Sequence, residues 1–234
     1  MRNLYLIRHG QASYGTEDYD RLSALGARQS QLLGEWFQRC GIEVHQVVAG
    51  ALKRHVQTAE AFFTGYSGAE QAKDWSARIH RDPNFNEVDQ VDMLNPTHAD
   101  RPGPLKNGTA HMTFDEFRAQ LTPAYYRWAS GKFDHEYRQP FAHFNDCCKS
   151  AVACAVERAG PQQTVVGFTS GGTIAMILRQ VLPLGDEATS SLMWVIKNTS
   201  VTHLAWDGKR FDLRLFNSTA HLDHHGDASL VTLT

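Results

Sequence analysis

Short runs of β-branched and aromatic residues alternate along this chain with stretches of helical period, and that alternation restricts the fold more than any other feature. Asn3-Leu4-Tyr5-Leu6-Ile7 reads as a first strand. A helix is expected from near Ser23, with Leu25, Leu32, Leu33, Trp36 and Phe37 on one face and Gly41 at its carboxyl end. Val44 to Ala49 is expected as a second strand, followed by a helix from about Leu52 to Phe63 that buries Val56, Ala59, Phe62 and Phe63. Arg78 to His80 adds a short edge strand. Thr164 to Phe168 is a buried strand that enters the turn Thr169-Ser170-Gly171-Gly172 and a helix to about Leu182. The chain closes on a hairpin, Val201 to Trp206 and Phe211 to Phe216, turning at Asp207-Gly208. Strands interleaved with helices lie side by side in one direction with helices on both faces. The expected fold class is therefore α/β: a three-layer α/β/α sandwich with a mostly parallel central sheet. In such a fold the active site lies outside the carboxyl ends of the strands.

One domain is expected over residues 1–234, interrupted by a helical insertion at about 88–160. Its first part, Asn95 to Gly108, is rich in proline, glycine and asparagine and reads as loop. Helices are expected near Phe114–Trp128 and Phe141–Arg158. Phe114, Phe117, Tyr125, Tyr126 and Trp128, with Lys106, Arg118 and Arg127, could line a pocket or pack a helix pair; packing is the simpler reading. A net charge of -2 gives no electrostatic case for nucleic acid or for a membrane surface. No apolar run is long enough to span a bilayer. Cys40, Cys147, Cys148 and Cys154 have neither metal-ligand nor disulfide spacing, which suits a reducing compartment and a cytoplasmic location. An edge strand near Arg78 or an exposed insertion helix could pair two copies into a homodimer.

The chemistry concentrates at strand ends. Arg8-His9-Gly10 delivers a guanidinium and an imidazole to one rim of the sheet, and its glycine lets the backbone turn and approach a ligand. Arg54 falls in the first turn of the helix that follows the second strand, and Gly171-Gly172 opens another helix at the same rim. Two guanidiniums and a helix amino terminus suit a phosphoryl group. A neutral histidine beside them can attack phosphorus. Taken alone, a histidine is more often a satisfied buried residue and an arginine a solvated charge; the spacing of the set favours the site. His221, Asp223, His224, His225 and Asp227 could suggest a metal, but such a cluster reads more simply as a polar tail, and no metal or cofactor is expected.

These residues resemble the histidine phosphatase superfamily, which includes phosphoglycerate mutases and acid phosphatases. Leu25-Gly26-Ala27-Arg28-Gln29 is similar to that family's leucine–glycine–glutamine helix, and Leu52 to Glu60 to its arginine-bearing helix. Asn86-Glu87 resembles the segment with its acid residue, and Asn198-Thr199-Ser200-Val201-Thr202 its late asparagine–serine turn. The resemblance implies that His9 is the nucleophile that becomes phosphohistidine. It implies that Arg8, Arg54 and the Ser170-Gly171 turn hold the phosphoryl oxygens. Glu87 would protonate the leaving alkoxide and then activate water, its pKa raised by burial or by Asp89 and Asp92 nearby.

Two positions depart from the pattern. The family usually has serine–histidine–glycine–glycine where this chain has Thr169-Ser170-Gly171-Gly172, so Ser170 takes the second histidine's place. Losing one preorganised donor costs about 2.7–4 kcal/mol, or about 10²–10³ in rate. His203 or His221 could supply the missing imidazole. Gly15 stands where mutase-like members tend to have asparagine. The resemblance therefore implies a metal-independent phosphatase acting on a small phosphorylated metabolite through phosphohistidine. The alternatives are a phosphoglycerate-type mutase, and a degenerate member that binds a phosphorylated ligand without turnover.

Overall fold

The computed structural model of the chain describes residues 1–13, 18, 20–94 and 113–233. Six strands form one sheet: β1 (Arg2–Arg8), β2 (Gln46–Ala49), β3 (His80–Arg81), β4 (Thr164–Thr169), β5 (Val201–Trp206) and β6 (Phe211–Ser218), in the order β3-β2-β4-β1-β5-β6. The first four run parallel to one another, while β5 lies antiparallel beside β1 and forms an antiparallel hairpin with β6. The sheet is thus mostly parallel, as the alternation requires.

Strand alternation sorts the core into two layers. Leu4, Leu6, Val48, Val165 and Leu204 point to one face, where they meet α6 (Phe141–Glu157) and α7 (Gly171–Val181). Ile7, Val47, Ala49, Val166 and Phe168 point to the other, against α1 (Ala24–Arg39) and α2 (Lys53–Ser67). Side chains of period 2 on the strands meet helical stripes on both sides, which makes the three-layer α/β/α sandwich.

The remaining helices sit around this frame: α3 (Ala72–Arg78), α4 (Gln90–Leu94), α5 (Phe114–Ala129), α8 (Asp186–Met193) and α9 (Ala220–Asp223). In the middle of the chain, α6 packs directly on β1 and β4, and α5 bridges α4 and α8. The aromatic residues there that the structure describes mostly pack. Tyr125 and Trp128 are buried, Phe117 meets Trp194 edge-on, and Trp128 donates to the Gln139 carbonyl at 2.7 Å.

Several expectations need correction. The second strand begins at Gln46 rather than Val44, and the edge strand is His80–Arg81, preceded by the helix α3 that periodicity did not reveal. The polar C-terminal stretch is no loose tail, since α9 buries His221 and Leu222. The expected loop Asn95–Gly108, Lys106 and Gly15 lie outside the described residues. Among the described residues, no helix is long and apolar enough to cross a membrane.

Candidate active site

Register builds the site. Arg8 lies opposite Thr169 in the parallel β1–β4 pair, and Ala49 opposite Phe168 in the β2–β4 pair. The next residues along each strand, His9, Ser170 and Gly50, therefore emerge together at the carboxyl edge of the sheet. The rim holds all six candidate residues: His9, Arg8, Arg54, Glu87, Ser170 and Gly171.

His9 is held by its own backbone. Its main-chain N–H donates to Thr169 O at 2.8 Å, and its carbonyl accepts from Asn198 Nδ2 at 3.0 Å. Its ring Nδ1 lies 2.8 Å from the Gly10 carbonyl. A carbonyl only accepts, so Nδ1 carries the proton and Nε2 keeps its lone pair. Burial, and then the charges of Arg54 and Arg8, hold this imidazole well below the usual histidine range. It is a neutral nitrogen base in a basic setting.

Gly10 has a packing duty of its own. A β-carbon there would strike the Gly26 carbonyl, and one on Gly26 would strike Gln11. The two glycines let α1 press its amino end against the chain leaving β1. Ser23 caps that helix, accepting from Gly26 N at 3.0 Å and donating to Gln11 Oε1 at 2.8 Å. Gln29 accepts from Gln11 N at 2.9 Å and donates to the C-terminal Leu230 carbonyl and Thr232 hydroxyl. Asn198 accepts from Thr232 as well. Gln29 and Asn198, which lie in segments that carry the resemblance, act here as ties beneath His9.

Arg54 stands in the first turn of α2 with Nη1 2.7 Å from Asp20 Oδ1. The other oxygen of Asp20 accepts from Lys53 N at 2.8 Å, so one carboxylate covers the helix amino end and orients the guanidinium. Thr58, one turn on, donates to Arg54 O and accepts from Gly10 N, joining α2 to the His9 loop. Arg8 donates from Nη1 to the Ile196 carbonyl, with its Nε 3.7 Å from where a β-carbon of Gly171 would lie.

Glu87 is partly buried. Its Oε1 accepts from Val88 N at 3.0 Å and its Oε2 from Gly172 N, in the first turn of α7, at 3.3 Å. Burial raises its pKa, opposed first by the Arg54 charge. Asp89 and Asp92 are not the cause, because both pair with Arg138, at 2.8 and 3.2 Å. Asn86 beside it accepts from Ala51 N at 2.6 Å, and its carbonyl accepts from Thr173 Oγ1 at 2.7 Å. The acid is thereby fixed between β2 and α7.

Neither histidine proposed as a substitute reaches the rim. His203 stacks on Tyr5 within the sheet and contacts Asn3 Oδ1 at 3.0 Å. His221 contacts Thr199 Oγ1 at 2.9 Å. The imidazole beside Ser170 is His55, with Nε2 2.6 Å from the hydroxyl. Sequence reasoning missed it, along with Asp20 and Thr58. The available signal was adjacency to Arg54, which puts His55 in the same first turn.

Comparison with known proteins agrees with this architecture. No curated protein matches the chain in sequence. Among solved structures, the chain is similar to a mycobacterial glucosyl-3-phosphoglycerate phosphatase at TM-score 0.63 and 20% identity, over 93% of this chain and 100% of that one. It is similar to a phosphoglycerate mutase from Bacillus anthracis at TM-score 0.64 and 13% identity, over 96% of each chain. A phosphoserine phosphatase from Entamoeba histolytica aligns at TM-score 0.60 and 18% identity, over 95% of this chain and 100% of that one. At these identities the likeness establishes the fold. The sequence profile of the histidine phosphatase superfamily (branch 1) matches residues 4–103 and 105–219, which include all six rim residues, and the chain belongs to that superfamily.

Proposed function

We propose that this protein is a phosphatase that hydrolyses a small phosphomonoester through a phosphohistidine at His9. The supporting observation is the His9 tautomer: with Nδ1–H spent on the Gly10 carbonyl, a neutral Nε2 lone pair stands at the rim with Arg8 and Arg54. In the first step Nε2 forms a bond to phosphorus as the bond to the ester oxygen breaks. Glu87, which burial favours in its protonated form, gives its proton to the departing alkoxide. In the second step water attacks phosphorus, its proton passes to Glu87, and the N–P bond breaks to release inorganic phosphate. Arg8 and Arg54 stabilise the phosphoryl oxygens throughout, and Ser170 and Gly171 supply further contacts at the amino end of α7. No step of this scheme calls on a metal. Four free cysteines accord with a cytoplasmic setting.

A panel of phosphorylated metabolites and a generic aryl phosphate, assayed for phosphate release, tests the reading. Wild-type turnover with at least about a 10³-fold loss in His9→Ala is expected. Turnover that survives in His9→Ala, or none in the wild type on any ester, overturns it.

A further inference from the structure

Ser170 stands at the amino end of α7, where a serine commonly accepts a backbone N–H, yet its side chain makes no such cap. The hydroxyl instead meets Nε2 of His55 at 2.6 Å, and both residues are fully buried. The His55 ring centre is 5.7 Å from that of His9. Its other nitrogen, Nδ1, has no hydrogen-bond partner. That nitrogen faces Gly50 so closely that a β-carbon there would collide with it. A proton on Nδ1 would point at a Cα–H and bury an unpaired donor, which is unfavourable. Burial and the Arg54 charge keep the ring neutral. Its single proton therefore sits on Nε2 and is donated to Ser170 Oγ, leaving the serine hydrogen free to be donated onward.

We infer that His55 is a positioning residue that turns the Ser170 hydroxyl hydrogen toward a phosphoryl group on His9. Gly50 belongs to the same device, because only a residue without a side chain leaves room for the ring. The inference rests on the reading of His9 as phosphoryl acceptor, and it accounts for a serine in a basic rim that would otherwise need a stronger donor. Arg8 and Arg54 supply charge; the His55–Ser170 pair supplies an oriented neutral donor.

Two measurements test it. The first is the ring ¹⁵N spectrum of His55 at neutral pH, which should show the Nε2–H tautomer; an Nδ1–H tautomer or an imidazolium overturns the inference. The second is affinity for inorganic phosphate by calorimetry, beside kcat and KM for an aryl phosphate, with thermal midpoints recorded for each variant. Ser170→Ala and His55→Leu should each weaken phosphate binding about tenfold. The double variant should lose little more than either alone. His55→Gln, which keeps an N–H near the place of Nε2, should retain more than His55→Leu, which keeps only bulk. Independent losses, or His55→Leu performing as well as His55→Gln, overturn it. Tautomer and phosphate binding are read without turnover, so a wild type that releases no phosphate still tests His55. Unchanged His55→Leu with inactive His9→Ala would sink this inference and leave the function standing.

Discussion

Gly172 shows how finely single residues set this site. A β-carbon there would collide with Glu87 Oε1, the far end of a flexible side chain that can swing away at little cost to folding. Gly172→Ala should therefore displace the acid and lower kcat by about 10²-fold or more while the thermal midpoint barely moves. Measuring both on an alkyl phosphate checks this; equal activity would show that Glu87 transfers no proton. At this scale the positions of His9, Arg8 and Arg54 were legible because each sits at a fixed offset from a strand end or helix start, whereas Glu87 lies in a loop and was picked out by the resemblance alone. The tautomer of His9 was not legible, because it depends on where the Gly10 carbonyl points. Nor was the bond between Ser170 and an imidazole legible, because it depends on which residue of α2 reaches the turn before α7.

Helix α1 links local sequence to site geometry. Ser23 caps its first turn and also holds Gln11, so the cap fixes the helix and the loop after His9 together. Ser23→Ala should cost about 1 kcal/mol, read as a lower urea midpoint, and should also raise KM through the loosened loop. A stability loss with unchanged KM would separate the two roles. The long helices α1, α2, α5 and α6 were visible because an apolar stripe repeats over several turns. The seven-residue α3 and the five-residue α4 were not. Helices of one or two turns offer too few repeats for a period, and packing on α2 and α5 holds them. The polar run at 221–227 misled for a related reason, since two buried residues in one turn, His221 and Leu222, leave no pattern.

The whole molecule carries buried imidazoles that fold neutral. His9 and His55 are held well below the usual histidine range and His221 at about 3, burial leading in each case. In the unfolded chain each returns to about 6.5. Below that pH the unfolded state binds protons that the folded state refuses, so stability is full above about pH 6.5 and falls as pH drops. Each ring contributes a slope of about 1.4 kcal/mol per pH unit, and three together roughly 4. Against a total of about 5–15 kcal/mol, acidification below about pH 6.5 should remove a sizeable part of the stability. Glu87 has the opposite sign: its raised pKa adds stability at low pH that is lost as pH rises through the folded value. Urea midpoints from about pH 7 to about pH 5 test the balance, and a flat profile would mean that these rings titrate as if exposed.

By itself the sequence determined the layers, the parallel strands and the Arg8-His9-Gly10 rim, because those follow from periodicity and from residues adjacent along the chain. The tertiary structure alone decided which histidine stands at Ser170, a partner 115 positions away, and which polar side chains tie His9 in place. Such pairings are set by strand register and by which helix lands on which face. Twelve histidines offer many candidates for one serine, and only the folded sheet chooses among them.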